Sequence, residues 1–211
     1  MEEREPMARN PGKGPGDDVR TSAILTLPNL LSLTRILLTP VFIWAMIAAR
    51  PWLAFGIFLL AGATDALDGF TARHFRLKTN LGLWLDPAGD KVLLTAAFVV
   101  LTLPRLSSPN VLPLWLTVIS IGRDVLLAAG SLVYIGLRGP TVFRPTLLGK
   151  ASTVLGVLTL LAVLLWNAIG SSPGFLAWLY VLTAALAAGS GAHYIFSAAR
   201  RFFREKSLAA E

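Results

Sequence analysis

Six apolar stretches, at residues 27–48, 52–72, 82–103, 112–136, 148–169 and 173–198, follow one another with short polar breaks. Each is close to the roughly 20 residues a helix needs to cross a hydrocarbon core. A backbone in lipid must satisfy its own hydrogen bonds, so a spanning chain is either helical or a closed barrel. Alternating ten-residue segments of the barrel kind do not occur here. The expected fold is therefore all-α, a polytopic membrane protein with six transmembrane helices in one bundle. The composition agrees, with 55% hydrophobic and 15% charged residues, apart from an ordinary soluble domain.

The cations give the bundle a direction. With a cytoplasmic N-terminus, the inner loops and tail hold Arg73, Arg76, Lys78, Arg138, Arg144, Lys150, Arg200, Arg201, Arg204 and Lys206. The outer loops hold only Arg50 and Arg105. Under the positive-inside rule this predicts both termini in the cytoplasm of a cell with its bundle in the inner (cell) membrane. Trp44, Trp52, Trp115, Trp166 and Trp178 then fall near outer helix ends, as an interfacial belt, and Trp84 falls at the inner face. Residues 1–24 are polar and rich in Gly and Pro, and read as a flexible cytoplasmic tail instead of a secretory signal. Residues 25–200 form the helical domain, and 201–211 a basic cytoplasmic tail. The chain has no cysteine, so a bound metal is expected to be oxygen-liganded. The net charge of +7 is expected on the cytoplasmic side, where it suits anionic headgroups; nothing points to nucleic acid.

Against this background the run TDALDGFTARHFRLKTNLGLWLDPAGDK is out of place, because it puts Asp65, Asp68, Asp86 and Asp90 within apolar spans. A carboxylate at a span centre costs roughly 2.5–3.5 kcal/mol on insertion scales. Asp65, Asp68, Gly69 and Ala72 follow i, i+3, i+4, i+7, and Gly82, Asp86 and Asp90 follow i, i+4, i+8, so each set shares one helix face. Two antiparallel helices would then direct four carboxylates toward one cleft near the cytoplasmic ends. Taken singly, such residues are also compatible with solvated helix ends and small-residue packing. Together they call for a divalent cation, since unpaired carboxylates this close repel. Hard oxygen donors select Mg²⁺ or Mn²⁺, and Mg²⁺ is typically shared with substrate phosphates. Gly69, Ala72 and Gly82 leave room for a bulky group, and Arg73 can fork onto a phosphate.

The string Asp65-x-x-Asp68-Gly69-x-x-Ala72-Arg73, eight residues, Gly82-x-x-x-Asp86-x-x-x-Asp90 resembles the signature of the CDP-alcohol phosphatidyltransferases. PNLLSLTR at 28–35 and LDPAGDK at 85–91 resemble members that make phosphatidylglycerophosphate or cardiolipin. The resemblance implies transfer of a phosphatidyl group from CDP-diacylglycerol to an alcohol, with release of CMP. It implies that Asp65, Asp68 and Asp86 are metal ligands, and that Asp90 is the base and lies close to a metal. It further implies that Asn29, Gly69, Ala72, Arg73, Thr79 and Gly82 bind CDP-diacylglycerol.

The acceptor is expected to be glycerol 3-phosphate or phosphatidylglycerol. SIGRDVLLAAG followed by FRPTLLGKAST looks more like the cardiolipin-forming branch. Arg123 lies well inside the fourth span, where it either binds an acidic headgroup or pairs internally with another helix. Arg144 and Lys150 are further acceptor candidates, though the positive-inside rule alone would also put them there. Asp124 is read as orienting these cations, and Lys91 as snorkelling or contacting phosphate. Arg35 either reaches the cleft or snorkels, and His193 is read as packing with Tyr194. AALAAGSGA at 184–192 suits close helix approach, within the bundle or across a homodimer. The competing function class is a cation transporter with an aspartate-lined path. Such proteins favour midplane sites and repeated halves, which this chain lacks.

Overall fold

The structure is a computed structural model. It describes the backbone of residues 27–75, 82–138 and 146–208, and the side chains of residues 34–64, 91–130, 136 and 146–197. Within these bounds the chain is all-helical: α1 (Leu27–Ile47), α2 (Pro51–Phe75), α3 (Gly82–Thr102), α4 (Leu114–Arg138), α5 (Leu147–Ile169) and α6 (Phe175–Leu208). The six apolar stretches correspond to these six helices. The last helix continues to Leu208, through most of the segment expected to be a tail.

Local chemistry sets the helix ends. Arg50 N donates to Ala45 O at 2.9 Å and Ala49 N to Met46 O at 3.2 Å, which closes α1 with Ala49 in the left-handed region at φ 51°. Pro51 then opens α2 at the position where its missing N–H costs nothing. Thr146 caps α5 by accepting from Gly149 N at 3.1 Å. Gly170 ends the same helix at φ 78°, where absence of a Cβ removes the strain. Pro40 interrupts α1, and the Thr39 hydroxyl donates to Arg35 O at 2.9 Å in the preceding turn.

α1 packs against both α2 and α3, α2 also against α5, α5 against α6, and α6 against α4. The core joins Phe42 and Ala45 of α1, Ala54 and Phe58 of α2, Ala97 and Leu101 of α3, and Leu160 and Leu164 of α5. Phe42 and Phe58 meet with ring centroids 5.9 Å apart. Polar side chains within the bundle are paired across helices: Thr102 with Thr117 and Thr159 with Thr183, both at 2.6 Å. Where the α3–α4 loop meets the C-terminal end of α5, Asn167 Oδ1 accepts from Asn110 N and Nδ2, while its own amide donates to Ser107 Oγ and Asn110 O.

Outward faces are apolar. Leu147, Trp178 and Phe196 are 84%, 78% and 69% exposed, a surface suited to hydrocarbon and not to water. Two described helical segments, Leu147–Ile169 and Phe175–Ser197, are long and apolar enough to cross a membrane, and Thr34–Ile47, Pro51–Thr64 and Lys91–Thr102 are shorter apolar ones.

Candidate active site

The helical backbone carries Asp65 and Asp68 on the last half of α2, and Asp86 and Asp90 on the first half of α3. All four positions therefore lie toward the C-terminal end of α2 and the N-terminal end of α3. Their side chains, with those of Asn29, Gly69, Ala72, Arg73, Thr79, Gly82, Trp84 and Arg144, lie outside the described residues. Among the described residues no group of three or more His, Cys, Asp or Glu side chains could hold a metal ion. Carboxylates are hard oxygen donors, the ligand chemistry that suits Mg²⁺ or Mn²⁺ better than softer metals, so the residue types of the aspartate motif fit such an ion.

The described residues next to this motif form a cross-helix polar array. Lys91, one position after Asp90, donates to Asp124 Oδ2 of α4 at 2.5 Å. Asp124 Oδ1 accepts from Arg123 Nη1 at 2.7 Å. Arg123 Nη2 donates to the Gly149 carbonyl of α5 at 2.9 Å and to Ser190 Oγ of α6 at 3.1 Å, and Nη1 approaches Thr153 Oγ1 at 3.4 Å. A guanidinium presents five donors in a rigid fork, so it can join several helices at once. With its side chain only 8% exposed, Arg123 acts as a clamp between α4, α5 and α6. Of the two roles open to it in the sequence, the geometry favours internal pairing.

Close packing makes the clamp feasible. A Cβ on Gly149 would stand 3.2 Å from Arg123 Nη2 and 3.2 Å from Thr146 Oγ1. Gly191 of α6 faces the Arg123 stem, where a Cβ would lie 3.7 Å from Cγ. Beside the clamp is a cavity of about 20 Å³, lined by Ser120, Arg123, Asp124 and Thr153 among others. Arg123 Nε and Ser120 Oγ are buried there without a protein partner. The space and the two unmatched polar atoms suit one ordered water.

Other expectations resolve separately. Lys150 is exposed in the first turn of α5, with the apolar surface of Leu147 nearby in sequence. Arg35 is 5% exposed, so it does not snorkel. His193 is exposed, and Tyr194 instead packs against α4, where a Cβ on Gly130 would stand 2.9 Å from its ring. Lys91 pairs with Asp124, an ion pair across 33 residues that no local spacing signals. Ser190, Thr153 and the Gly149 carbonyl were likewise missed, since a hydroxyl or carbonyl partner leaves no charge pattern to find.

A cardiolipin synthase (CMP-forming) of Rattus norvegicus is 43% identical over 126 residues, covering 59% of this chain and 39% of that protein. One of the same name from Streptomyces coelicolor is 35% identical over 147 residues, covering 64% and 63%. A CDP-diacylglycerol–glycerol-3-phosphate 3-phosphatidyltransferase of Bacillus subtilis is 33% identical over 159 residues, covering 68% and 79%. The chain thus spans less than two thirds of the two synthases and more of the third relative. Residues 25–188, from the start of α1 into α6, match the CDP-alcohol phosphatidyltransferase model, and this chain belongs to the CDP-alcohol phosphatidyltransferase family.

Proposed function

We propose that the chain transfers a phosphatidyl group from CDP-diacylglycerol to phosphatidylglycerol or glycerol 3-phosphate, releasing CMP, as a six-span membrane enzyme with both termini cytoplasmic. The observation that carries this reading is the complete aspartate motif on α2 and α3 within a chain of this family. The acceptor hydroxyl oxygen attacks the phosphorus that bears the diacylglycerol, and the bond from that phosphorus to the CMP oxygen breaks. Asp90 accepts the hydroxyl proton and CMP departs with the bonding electrons. Asp65, Asp68 and Asp86 would hold Mg²⁺ or Mn²⁺, which when bound neutralises charge on the phosphate oxygens.

The neighbouring residues position these groups. Arg73 is a donor-phosphate ligand, with Asn29, Gly69, Ala72, Thr79 and Gly82 shaping the nucleotide and pyrophosphate site. Arg144 and Lys150 are the proposed acceptor-binding cations, Lys150 being exposed in the first turn of α5, and Arg123 holds that helix start to α4 and α6. Phosphatidylglycerol is the favoured acceptor, because Arg123 and Asp124 stand in a segment resembling the cardiolipin-forming branch.

An acceptor screen tests the proposal. Purified protein with CDP-diacylglycerol and Mg²⁺ or Mn²⁺ is offered phosphatidylglycerol, glycerol 3-phosphate, serine, inositol phosphate and inositol in turn, and CMP is followed. Release with phosphatidylglycerol identifies cardiolipin formation. No CMP with any alcohol overturns the transferase reading, and metal-ion flux into proteoliposomes would replace it with the transporter.

A further inference from the structure

At the ends of α2 and α3 away from the aspartate positions, a cavity of about 230 Å³ opens between the α1–α2 turn and the α3–α4 loop. It is roomier than the cavity of about 20 Å³ beside Arg123. Arg50 and Arg105 both line it, with Ser108 and the apolar Met46, Ile47 and Leu106. The chain contains no Asp or Glu at 36–64, 92–122 or 151–199, so among the described residues this end holds two guanidinium groups and no carboxylate. Neither arginine side chain has a hydrogen bond or ion pair among the described residues; Arg50 lies over the Trp44 ring at 6.0 Å. Two exposed cations lining one cavity, with no carboxylate among its lining residues, give it a positive field that attracts an anion.

The surroundings fix the backbone from which both arginines extend. Arg50 follows Ala49, a residue with a Cβ kept at φ 51°, a conformation more costly than the one Gly170 adopts at the equivalent end of α5. Backbone strain of this kind persists only where neighbouring structure imposes it. Arg105 precedes the Ser107 to Asn110 segment that Asn167 fastens to α5. The positive end of the α2 dipole, starting at Pro51, adds to the same field.

The cavity rim identifies the form of the anion. Ile47 of the lining is 63% exposed, and Trp52, Trp44 and Leu103, close to lining residues in sequence, are 59%, 52% and 45% exposed. A free phosphate would leave this surface without an occupant, whereas a lipid fills the cavity with its headgroup and lays its chains along the apolar wall. We propose that this cavity binds the phosphodiester of an anionic phospholipid between Arg50 and Arg105, as a second lipid site independent of the chemistry at the other end.

The test compares the full chain with Arg50→Gln/Arg105→Gln in a neutral detergent. Phosphatidylglycerol, phosphatidylcholine and inorganic phosphate are added separately, with bound lipid counted by native mass spectrometry and melting followed in parallel. The parent is expected to retain one more phosphatidylglycerol than the variant, and to gain at least twice the variant's rise in Tm from it, with CDP-diacylglycerol turnover alike in both. Equal retention and equal shifts overturn the site. A parent shift reproduced by inorganic phosphate overturns the lipid assignment, and one reproduced by phosphatidylcholine overturns the requirement for net negative charge. Should the double variant fail to fold, Arg105→Gln carries the test, as this loop side chain has no bond within the described residues, and it should lose about half of the retained lipid.

Discussion

Lys91 on α3 and Asp124 on α4 meet at 2.5 Å, and the second oxygen of the same carboxylate takes a bond from Arg123 at 2.7 Å. One carboxylate therefore ties the helix of Asp86 and Asp90 to the cluster that joins α4, α5 and α6. Lys91 is 46% exposed and Asp124 19%, so the Lys91 contact is partly screened by solvent. In a double-mutant cycle of Lys91→Gln and Asp124→Asn, the coupling should be about 0.5–1 kcal/mol, the scale of an exposed pair. A coupling near zero in thermal unfolding would mean that the two groups act separately.

Arg123→Gln should destabilise more strongly. It removes a buried cation with partners on three helices and leaves Asp124, the Gly149 carbonyl and Ser190 with fewer partners. The expected cost is about 3 kcal/mol, within the range for breaking a buried charged network. A melting experiment should show it, with acceptor KM within about twofold of the parent in the surviving fraction. A large rise in KM at unchanged Tm would instead put the guanidinium on the acceptor.

Gly149→Ala probes the same clamp by crowding. The added methyl meets Arg123 Nη2 and Thr146 Oγ1, each at 3.2 Å, so the guanidinium must move by a few tenths of an ångström. A loss of about 1–2 kcal/mol is expected, as for other overpacked sites. If the variant melts with the parent, Arg123 relaxes freely and the clamp is loose.

Turnover should require a divalent metal. Asp65→Asn, Asp68→Asn and Asp86→Asn should each remove most activity, and EDTA should abolish it reversibly. Persistent activity in EDTA would exclude the proposed ligand set.

Asp90→Asn should act on kcat far more than on binding of CDP-diacylglycerol, because a base works as the acceptor hydroxyl loses its proton. The two effects are separated by measuring donor affinity directly alongside steady-state rates. Normal turnover at saturating donor and acceptor would assign the proton to another group.

The six helices were legible in the sequence because length and apolarity are properties of contiguous residues, and a span needs about 20 of them. The aspartate motif was legible for a related reason: its residues repeat at helical spacing within two neighbouring segments. Tertiary structure decided what lies between distant segments. Lys91 finds Asp124 across 33 residues, Arg123 finds Ser190 across 67, and Asn110 finds Asn167 across 57. The same holds for Arg50 and Arg105, isolated cations in the sequence that the packing of the α1, α2 and α5 ends with the α3–α4 loop brings to one cavity. Such pairings carry no period and no fixed spacing, since they depend on which faces of the helices meet; local hydrogen bonding shapes a helix, but only packing selects its neighbour.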